Sequence, residues 1–117
     1  MLHLSSSHEF HLHTLATDMR KSFDGLCGVI HNSFGRSPRS GEVFAFINKR
    51  CDKLKLLHWQ GGGFMLYYKR LEEGTFELPV YGLEDGWVSL GYTQMVMMVD
   101  GISIKNVKKR KRYQPNI

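Results

Sequence analysis

The fold of this chain is decided by residues 43–71, which read VFAFINKRCDKLKLLHWQGGGFMLYYKRL. The first five residues are apolar and aromatic, which is typical of a strand that is buried on both faces. A polar turn is expected over residues 48–52, and apolar residues alternate with charged ones along most of the segment that follows. The three glycines at 61–63 then predict a hairpin turn that leads into a further strand, residues 64–71.

One strand and one helix are predicted before this segment. Residues 9–13 alternate between polar and apolar, as a short strand does. An amphipathic helix follows, capped by Thr17 or Asp18 and closed by Gly35. Its apolar stripe consists of Met19, Phe23, Leu26, Cys27, Ile30 and Phe34. Residues 36–41 are rich in turn formers and predict an exposed loop.

Two further elements are predicted on the C-terminal side. Thr75–Leu78 has the composition of a strand. A short helix is expected to start at Tyr92 or Thr93, to run to about Asp100 and to be closed by the glycine that follows.

Together these elements predict an α+β fold. We expect a single small domain with a mainly antiparallel sheet of about four to five strands, one amphipathic helix and a short C-terminal helix. In the simplest arrangement the later strands form a four-strand antiparallel meander, and the helices pack on one face of the sheet. Residues 1–104 would form this domain, and residues 105–117 would be a basic tail that is disordered until it meets phosphate.

The size and composition restrict the class of protein. The chain has 117 residues and a mass of 13.5 kDa, which suits one globular domain. No apolar stretch approaches the roughly 20 residues that cross a bilayer, and the N-terminus lacks the basic start and apolar core of a signal peptide. No membrane partner is therefore expected. Cys27 and Cys51 are too few for a disulfide framework, so we expect the reducing cytoplasm.

Charge is distributed in three blocks of alternating sign. Residues 18–70 contain ten bases and four acids, residues 71–104 contain six acids and no base, and residues 105–117 contain six bases and no acid. Such asymmetry is typical of a protein that meets a polyanion. Nucleic acid is the first candidate.

The bases of the first and third blocks are candidate phosphate contacts, because lysine and arginine supply most contacts to a nucleic-acid backbone. They are Arg20, Lys21, Arg36, Arg39, Lys49, Arg50, Lys53, Lys55, Lys69 and Arg70, and in the tail Lys108, Lys109, Arg110, Lys111 and Arg112. Trp59, Tyr67 and Tyr68 are interleaved with them and would stack on bases if exposed, although aromatic residues in strands more often belong to the core.

Arg20 and Lys21 fall in the first turn of the predicted helix, where cations oppose the helix dipole. Two explanations stay open at this point. Arg20 pairs locally with Asp24, or both bases hold a phosphate or an acidic partner surface.

No catalytic or metal-binding constellation is predicted. His11 and His13 would project from one strand face with His8 nearby, but a structural zinc needs about four ligands, and neither cysteine belongs to a CxxC pair. The glycines at 61–63 lack the Lys-Ser/Thr and the helix start of a phosphate-binding loop. The sequence therefore predicts a protein that is not an enzyme and needs no cofactor.

Four motifs are arranged as in a known family. They are TDMRKSFDGL at Thr17–Leu26, FAFINK at Phe44–Lys49, LKLLHW at Leu54–Trp59 and FMLYYKRL at Phe64–Leu71. In this order and spacing they resemble the TnpB accessory family of IS66-type insertion sequences, which is distinct from the RNA-guided nucleases of the same name. The resemblance spans roughly residues 8 to 101 and leaves the basic tail outside it.

The resemblance implies a protein that is encoded beside a separate large transposase and assists transposition, with no catalytic residue to carry over. The leading hypothesis is a non-enzymatic accessory factor that contacts DNA phosphates, with little base specificity, through a basic face and tail. The alternative is an interaction module that docks on the element's transposase or on a sibling accessory protein. A steep loss of affinity with salt would favour the first hypothesis.

Overall fold

The computed structural model describes residues 4–78 and 86–101 of the chain. These residues form a five-stranded sheet and two α-helices, which confirms the α+β prediction. The strands are β1 (Phe10–His13), β2 (Val43–Ile47), β3 (Lys53–Gln60), β4 (Gly63–Arg70) and β5 (Trp87–Leu90). The helices are α1 (Phe23–Val29), which continues as a π-helical segment (Ile30–Phe34), and α2 (Tyr92–Asp100).

The central hairpin forms as the sequence predicts. β3 and β4 are antiparallel, with Gln60 opposite Gly63. Gly61 and Gly62 between them have φ angles of 60° and 81°, the left-handed values that a two-residue type I′ turn requires. β2 is buried along its whole length, as expected, and pairs antiparallel with β3.

The strand order in the sheet is β4-β3-β2-β1-β5. β1 runs parallel to β2, and β5, which was not predicted, pairs antiparallel with the other side of β1. The predicted four-strand meander is therefore wrong, because its antiparallel run ends after β2, β3 and β4. Thr75–Leu78 forms no strand. Instead, Phe76 is buried in the core and its N–H donates a hydrogen bond to the Cys51 carbonyl at 2.7 Å.

The two helices cover opposite faces of the sheet, so the prediction that both lie on one face is wrong. α2 places Met95 in the core that contains Val43, whereas α1 places Leu26 in the core that contains Phe44. Neighbouring residues of β2 thus belong to different cores, because side chains alternate along a strand.

α1 begins at Phe23, which is later than the predicted cap at Thr17 or Asp18. The Thr17 N–H donates instead to the Ile47 carbonyl at 2.8 Å, which ties the connection after β1 to the end of β2. Gly35, with a φ of 69°, ends the π-helical segment, as predicted. α2 and the glycine that closes it also agree with the prediction.

Candidate nucleic-acid interface

Several chain segments that carry bases meet at one end of the sheet. Because β1 and β2 are parallel, the connection after β1 and the turn after β2 leave the sheet at the same end. β3 starts at this end and β4 finishes there, with Lys53 opposite Arg70. We call this region, residues 16–20, 48–53 and 68–72, the basic end.

The turn between β2 and β3 is fixed by Asn48. Its side-chain oxygen accepts hydrogen bonds from the backbone N–H groups of Asp52 and of the first β3 residue, at 3.0 and 2.9 Å. Its amide donates to the Asp52 carboxylate at 2.6 Å, so this acid is held inside the turn. Cys51 adopts a left-handed φ of 57°. Lys49 and Arg50 are exposed at the tip of this tied turn.

An open groove of about 450 Å³ runs through the basic end. Arg20, Lys49, Arg50 and Lys53 line it. Within residues 4–78 and 86–101, the last three of these bases form no ion pair with an acid. Their positive charge is therefore available to a bound anion.

Two like charges face each other beside this groove. Lys53 lies directly opposite Arg70 across β3 and β4, an arrangement that destabilises a sheet. The charge of Arg70 is offset by Glu72. The Glu72 carboxylate accepts a hydrogen bond from Arg70 Nη2 at 2.8 Å and raises the pKa of the guanidinium. No acid of the described segments pairs with Lys53 in the same way. A phosphate beside Lys53 would offset the remaining repulsion.

Among the described residues, Asp18 is the acid that lines the groove. It accepts hydrogen bonds from the Nε and Nη2 of Arg20, the shortest at 2.6 Å, and these lower the pKa of Asp18 to about 2. Arg20 thus pairs locally, but with Asp18 and not with Asp24 as the sequence suggested. Because α1 begins only at Phe23, neither Arg20 nor the exposed Lys21 lies in its first turn, and the predicted conflict with the helix dipole does not arise.

Two of the predicted phosphate contacts hold their ammonium groups against the protein. Lys55 is 5% exposed, and its Nζ donates to the carbonyls of Met19 and Lys21 at 2.7 and 2.6 Å. Burial lowers the pKa of this ammonium. Lys69 Nζ donates to the Val99 carbonyl near the end of α2, at 2.7 Å. We therefore leave both lysines out of the proposed interface.

Arg36 and Arg39 lie in the loop before β2, at the opposite end of the sheet. Arg36 Nη1 donates to the carboxylate of the buried Glu42 at 2.6 Å, and its guanidinium lies 4.6 Å from the centroid of the Phe34 ring. The Arg39 guanidinium lies 5.1 Å from the centroid of the Trp59 ring. The structure therefore divides the predicted basic face between two ends of the sheet.

The three aromatic candidates have different surroundings. Tyr67 packs against the core that α2 covers. Trp59 makes an edge contact with Phe64, with ring centroids 4.9 Å apart, and Arg39 lies over its ring. Tyr68 is 51% exposed and borders the groove at the basic end.

A buried polar cluster at the opposite end was missed by the sequence analysis. Glu42 accepts hydrogen bonds from His11 Nε2 at 2.5 Å, from Ser40 Oγ at 2.8 Å and from Arg36. Burial alone would raise the pKa of the Glu42 carboxyl, but these contacts lower it overall. The histidines of β1 were noticed, but Glu42 lies 31 residues beyond His11 and reaches it only through the pairing of β1 with β2.

The same cluster has some of the geometry of a metal site. Glu9, His11 and Glu42 each place one ligand atom within 4.8 Å of the others. However, the Arg36 guanidinium and His11 bind the same Glu42 oxygen, so a metal ion would have to displace a cation. Ser89 Oγ lies 3.3 Å from His11 Nδ1. The cluster as it stands therefore links β5, β1 and the loop before β2.

Comparison with known proteins identifies the family. A protein-family model described as IS66 Orf2 like protein matches residues 8–109. This chain belongs to the IS66 Orf2-like family. The resemblance carried by the motifs is thereby confirmed, but the family match also covers the first bases of the tail, which the sequence analysis left outside it.

Two curated relatives of this IS66 Orf2-like protein come from Sinorhizobium fredii (strain NBRC 101917 / NGR234). The uncharacterized protein y4jC is 30% identical over 102 residues, which are 87% of this chain and 86% of the relative. The uncharacterized protein y4hO is 28% identical over 96 residues, which are 82% of each chain. No solved structure matches this chain.

The IS66 Orf2-like family consists of accessory proteins of IS66-type elements and is not a known enzyme family. Membership therefore supports an accessory role in transposition. Among the residues that the structure describes, no helix is long and apolar enough to cross a membrane. The tail bases Lys108–Arg112 lie outside the described residues, so their assignment to the interface stays a prediction.

Proposed function

We propose that this IS66 Orf2-like protein is a non-enzymatic accessory factor for transposition that contacts DNA phosphates through its basic end and tail. The groove supports this proposal most, because Lys49, Arg50 and Lys53 line it beside Arg20 and have no acid partner in the described segments. Hydrogen bonds of Asn48 tie the turn that carries the first two. The backbone that carries them is thus fixed before DNA arrives.

Contacts of this kind predict binding with little sequence preference. Phosphate contacts position a protein on DNA but carry no base information. They also release counterions, so the logarithm of the affinity falls with the logarithm of the salt concentration, by about 0.9 per phosphate contacted. The three groove bases that have no acid partner in the described segments would give a slope of about −3, and the tail would steepen it.

Two exposed arginines allow a matched test on the full chain. Arg50 lies at the groove, and Arg39 lies at the other end of the sheet. Fluorescence anisotropy would compare Arg50→Gln with Arg39→Gln on the element's terminal repeat and on a scrambled duplex at several salt concentrations. We expect Arg50→Gln to weaken binding equally on both duplexes and to reduce the salt slope by about 1, and Arg39→Gln to match the wild type.

A third variant isolates the tail, by replacing Lys108–Arg112 with serines. The proposal predicts residual, salt-dependent binding by this variant, since the groove is intact. Equal losses for the two arginine variants would mean that the overall charge, and not the groove, attracts DNA. Absence of binding by the wild type would contradict the proposal altogether.

The outer edge of β4 favours a second candidate function, docking on the element's transposase or a sibling accessory protein. β4 is eight residues long, and within the described segments it pairs only with β3. Such an edge can accept a strand from a partner, and Met65 on it is 48% exposed. A complex with the transposase that survives high salt and is weakened by Met65→Lys would support docking.

A further inference from the structure

Tyr68 combines exposure with a cation against its ring. It lies on β4, at the border of the groove, and half of its surface is accessible. The Lys55 ammonium lies 4.6 Å from the ring centroid, and two backbone carbonyls hold that ammonium in place. The ring is therefore supported by the Lys55 ammonium while about half of the residue stays exposed to solvent.

The other aromatic side chains of the hairpin do not offer such a surface. The ring of Trp59 contacts both Phe64 and the Arg39 guanidinium, and Tyr67 packs in the core. Among the aromatic residues interleaved with the bases, Tyr68 is thus the one whose ring is open beside unpaired cations. Packing against the rest of the protein accounts for Trp59 and Tyr67 but does not account for Tyr68.

The cations around Tyr68 are placed for a nucleic-acid backbone. Lys53 lines the groove next to Tyr68, and a second open surface beside Tyr68 is lined by Lys53, by Arg70 and by Glu72, the acid that pairs with Arg70. A groove of about 450 Å³ is in the size range of small-ligand sites and can take a nucleotide. In a duplex the faces of the bases are covered by their neighbours, whereas an unpaired strand can turn a base face toward an aromatic ring.

We propose that the basic end binds single-stranded DNA in preference to duplex DNA. A nucleobase would stack on Tyr68, and the phosphates of the strand would contact Lys53 and the other basic residues of the groove. This inference rests on the proposed DNA-binding function and adds the form of DNA that the groove selects. Stacking tolerates every base, so the preference is for unpaired strands and not for a sequence.

The test uses the full chain with fluorescein-labelled DNA of about 12 nucleotides, as a thymidine oligomer and as a duplex of equal length. We expect the wild type to bind the single strand more tightly at equal salt. Tyr68→Leu should weaken single-strand binding by about 5- to 150-fold, the range for loss of one stacked base, and leave duplex binding within about twofold. Tyr92→Leu, which removes an exposed tyrosine on α2, should match the wild type.

Tyr68→Trp keeps the stacking surface and gives a signal that does not depend on the leucine variant being folded. Its fluorescence, after subtraction of the wild-type signal, should be quenched by the thymidine oligomer and not by the duplex. Equal affinity of the wild type for both forms, or equal loss on both in Tyr68→Leu, would overturn the single-strand preference and leave duplex binding standing. No binding of either form by the wild type would overturn the proposed function as well.

Discussion

Replacement of Lys55 by methionine tests whether the basic block contains two kinds of cation, one structural and one facing a ligand. Lys55 is 5% exposed, and its ammonium donates to two backbone carbonyls, at 2.7 and 2.6 Å. Methionine fills similar space but donates no hydrogen bond, so both carbonyls lose their partner. A hydrogen bond to a charged group contributes about 1.5–3 kcal/mol, and loss of the buried charge regains part of its desolvation energy. We expect a net loss of about 2–4 kcal/mol in the free energy of unfolding.

Lys53→Met is the matched control, because Lys53 lies two residues earlier on the same face of β3 and has no acid partner in the described segments. Its replacement should change the free energy of unfolding by less than about 0.5 kcal/mol and weaken DNA binding. Urea denaturation followed by tryptophan fluorescence measures both variants. A loss of about 3 kcal/mol lowers the midpoint by about 1–3 M. A wild-type midpoint for Lys55→Met would refute the reasoning.

Three other perturbations have expected outcomes. Gly28→Ala should raise the free energy of unfolding by up to about 1 kcal/mol, since a Cβ at this position meets nothing within 4 Å. Gly25→Ala should bring no such gain, because its Cβ would lie 3.1 Å from a lysine side chain. Thermal melts compare the two variants. Stability should fall from about pH 7 down to the folded-state pKa values of His13 and His58. Burial lowers both pKa values, so the unfolded chain takes up protons first and the loss is complete below the folded-state values. Urea midpoints measured across this range check the direction, and His58→Gln should reduce the slope. Asp18→Asn removes the acid of the groove, whose pKa of about 2 keeps it charged at neutral pH, and should strengthen duplex binding in the anisotropy assay.

The elements that the sequence predicted well are those with local signals. The central hairpin follows from Gly61 and Gly62, whose positive φ angles suit a tight turn. β2 follows from five consecutive apolar residues, and α2 from its apolar spacing and closing glycine. In each case, the residues that determine the element lie within it or beside it.

The errors arise where distant residues decide the structure. α1 starts late because the segment before it gives two carbonyls to Lys55, which is 36 and 34 residues away in sequence. β5 has only four residues and depends on pairing with β1. The composition around Phe76 predicted a strand, but this residue is instead a single side chain buried in the core. Short-range patterns contain no information about such contacts.

The charge pattern predicted that the interface is positively charged but not which basic residues form it. Lys53 and Lys55 are two residues apart and lie on the same face of the strand, so the sequence made both equally good candidates to contact phosphate. The structure distinguishes them because the chain before α1 passes over Lys55 and supplies its carbonyls. Arg39 is likewise separated from the groove by the length of β2 and β3.

The parallel pairing of β1 with β2 is the feature that brings the groove together. In the antiparallel arrangement that a simple meander would give, the connection after β1 would leave the sheet at the opposite end, beside Arg36. In the parallel pair, Arg20 follows β1 and reaches the turn after β2 that carries Lys49 and Arg50. In open α/β sheets, ligands commonly bind beyond the carboxyl ends of the parallel strands, and β1 and β2 are the parallel pair of this sheet among the described residues. The basic end lies beyond the carboxyl ends of β1 and β2, so their parallel pairing, on which the sequence analysis made no prediction, supplies a further reason to expect a ligand at this groove.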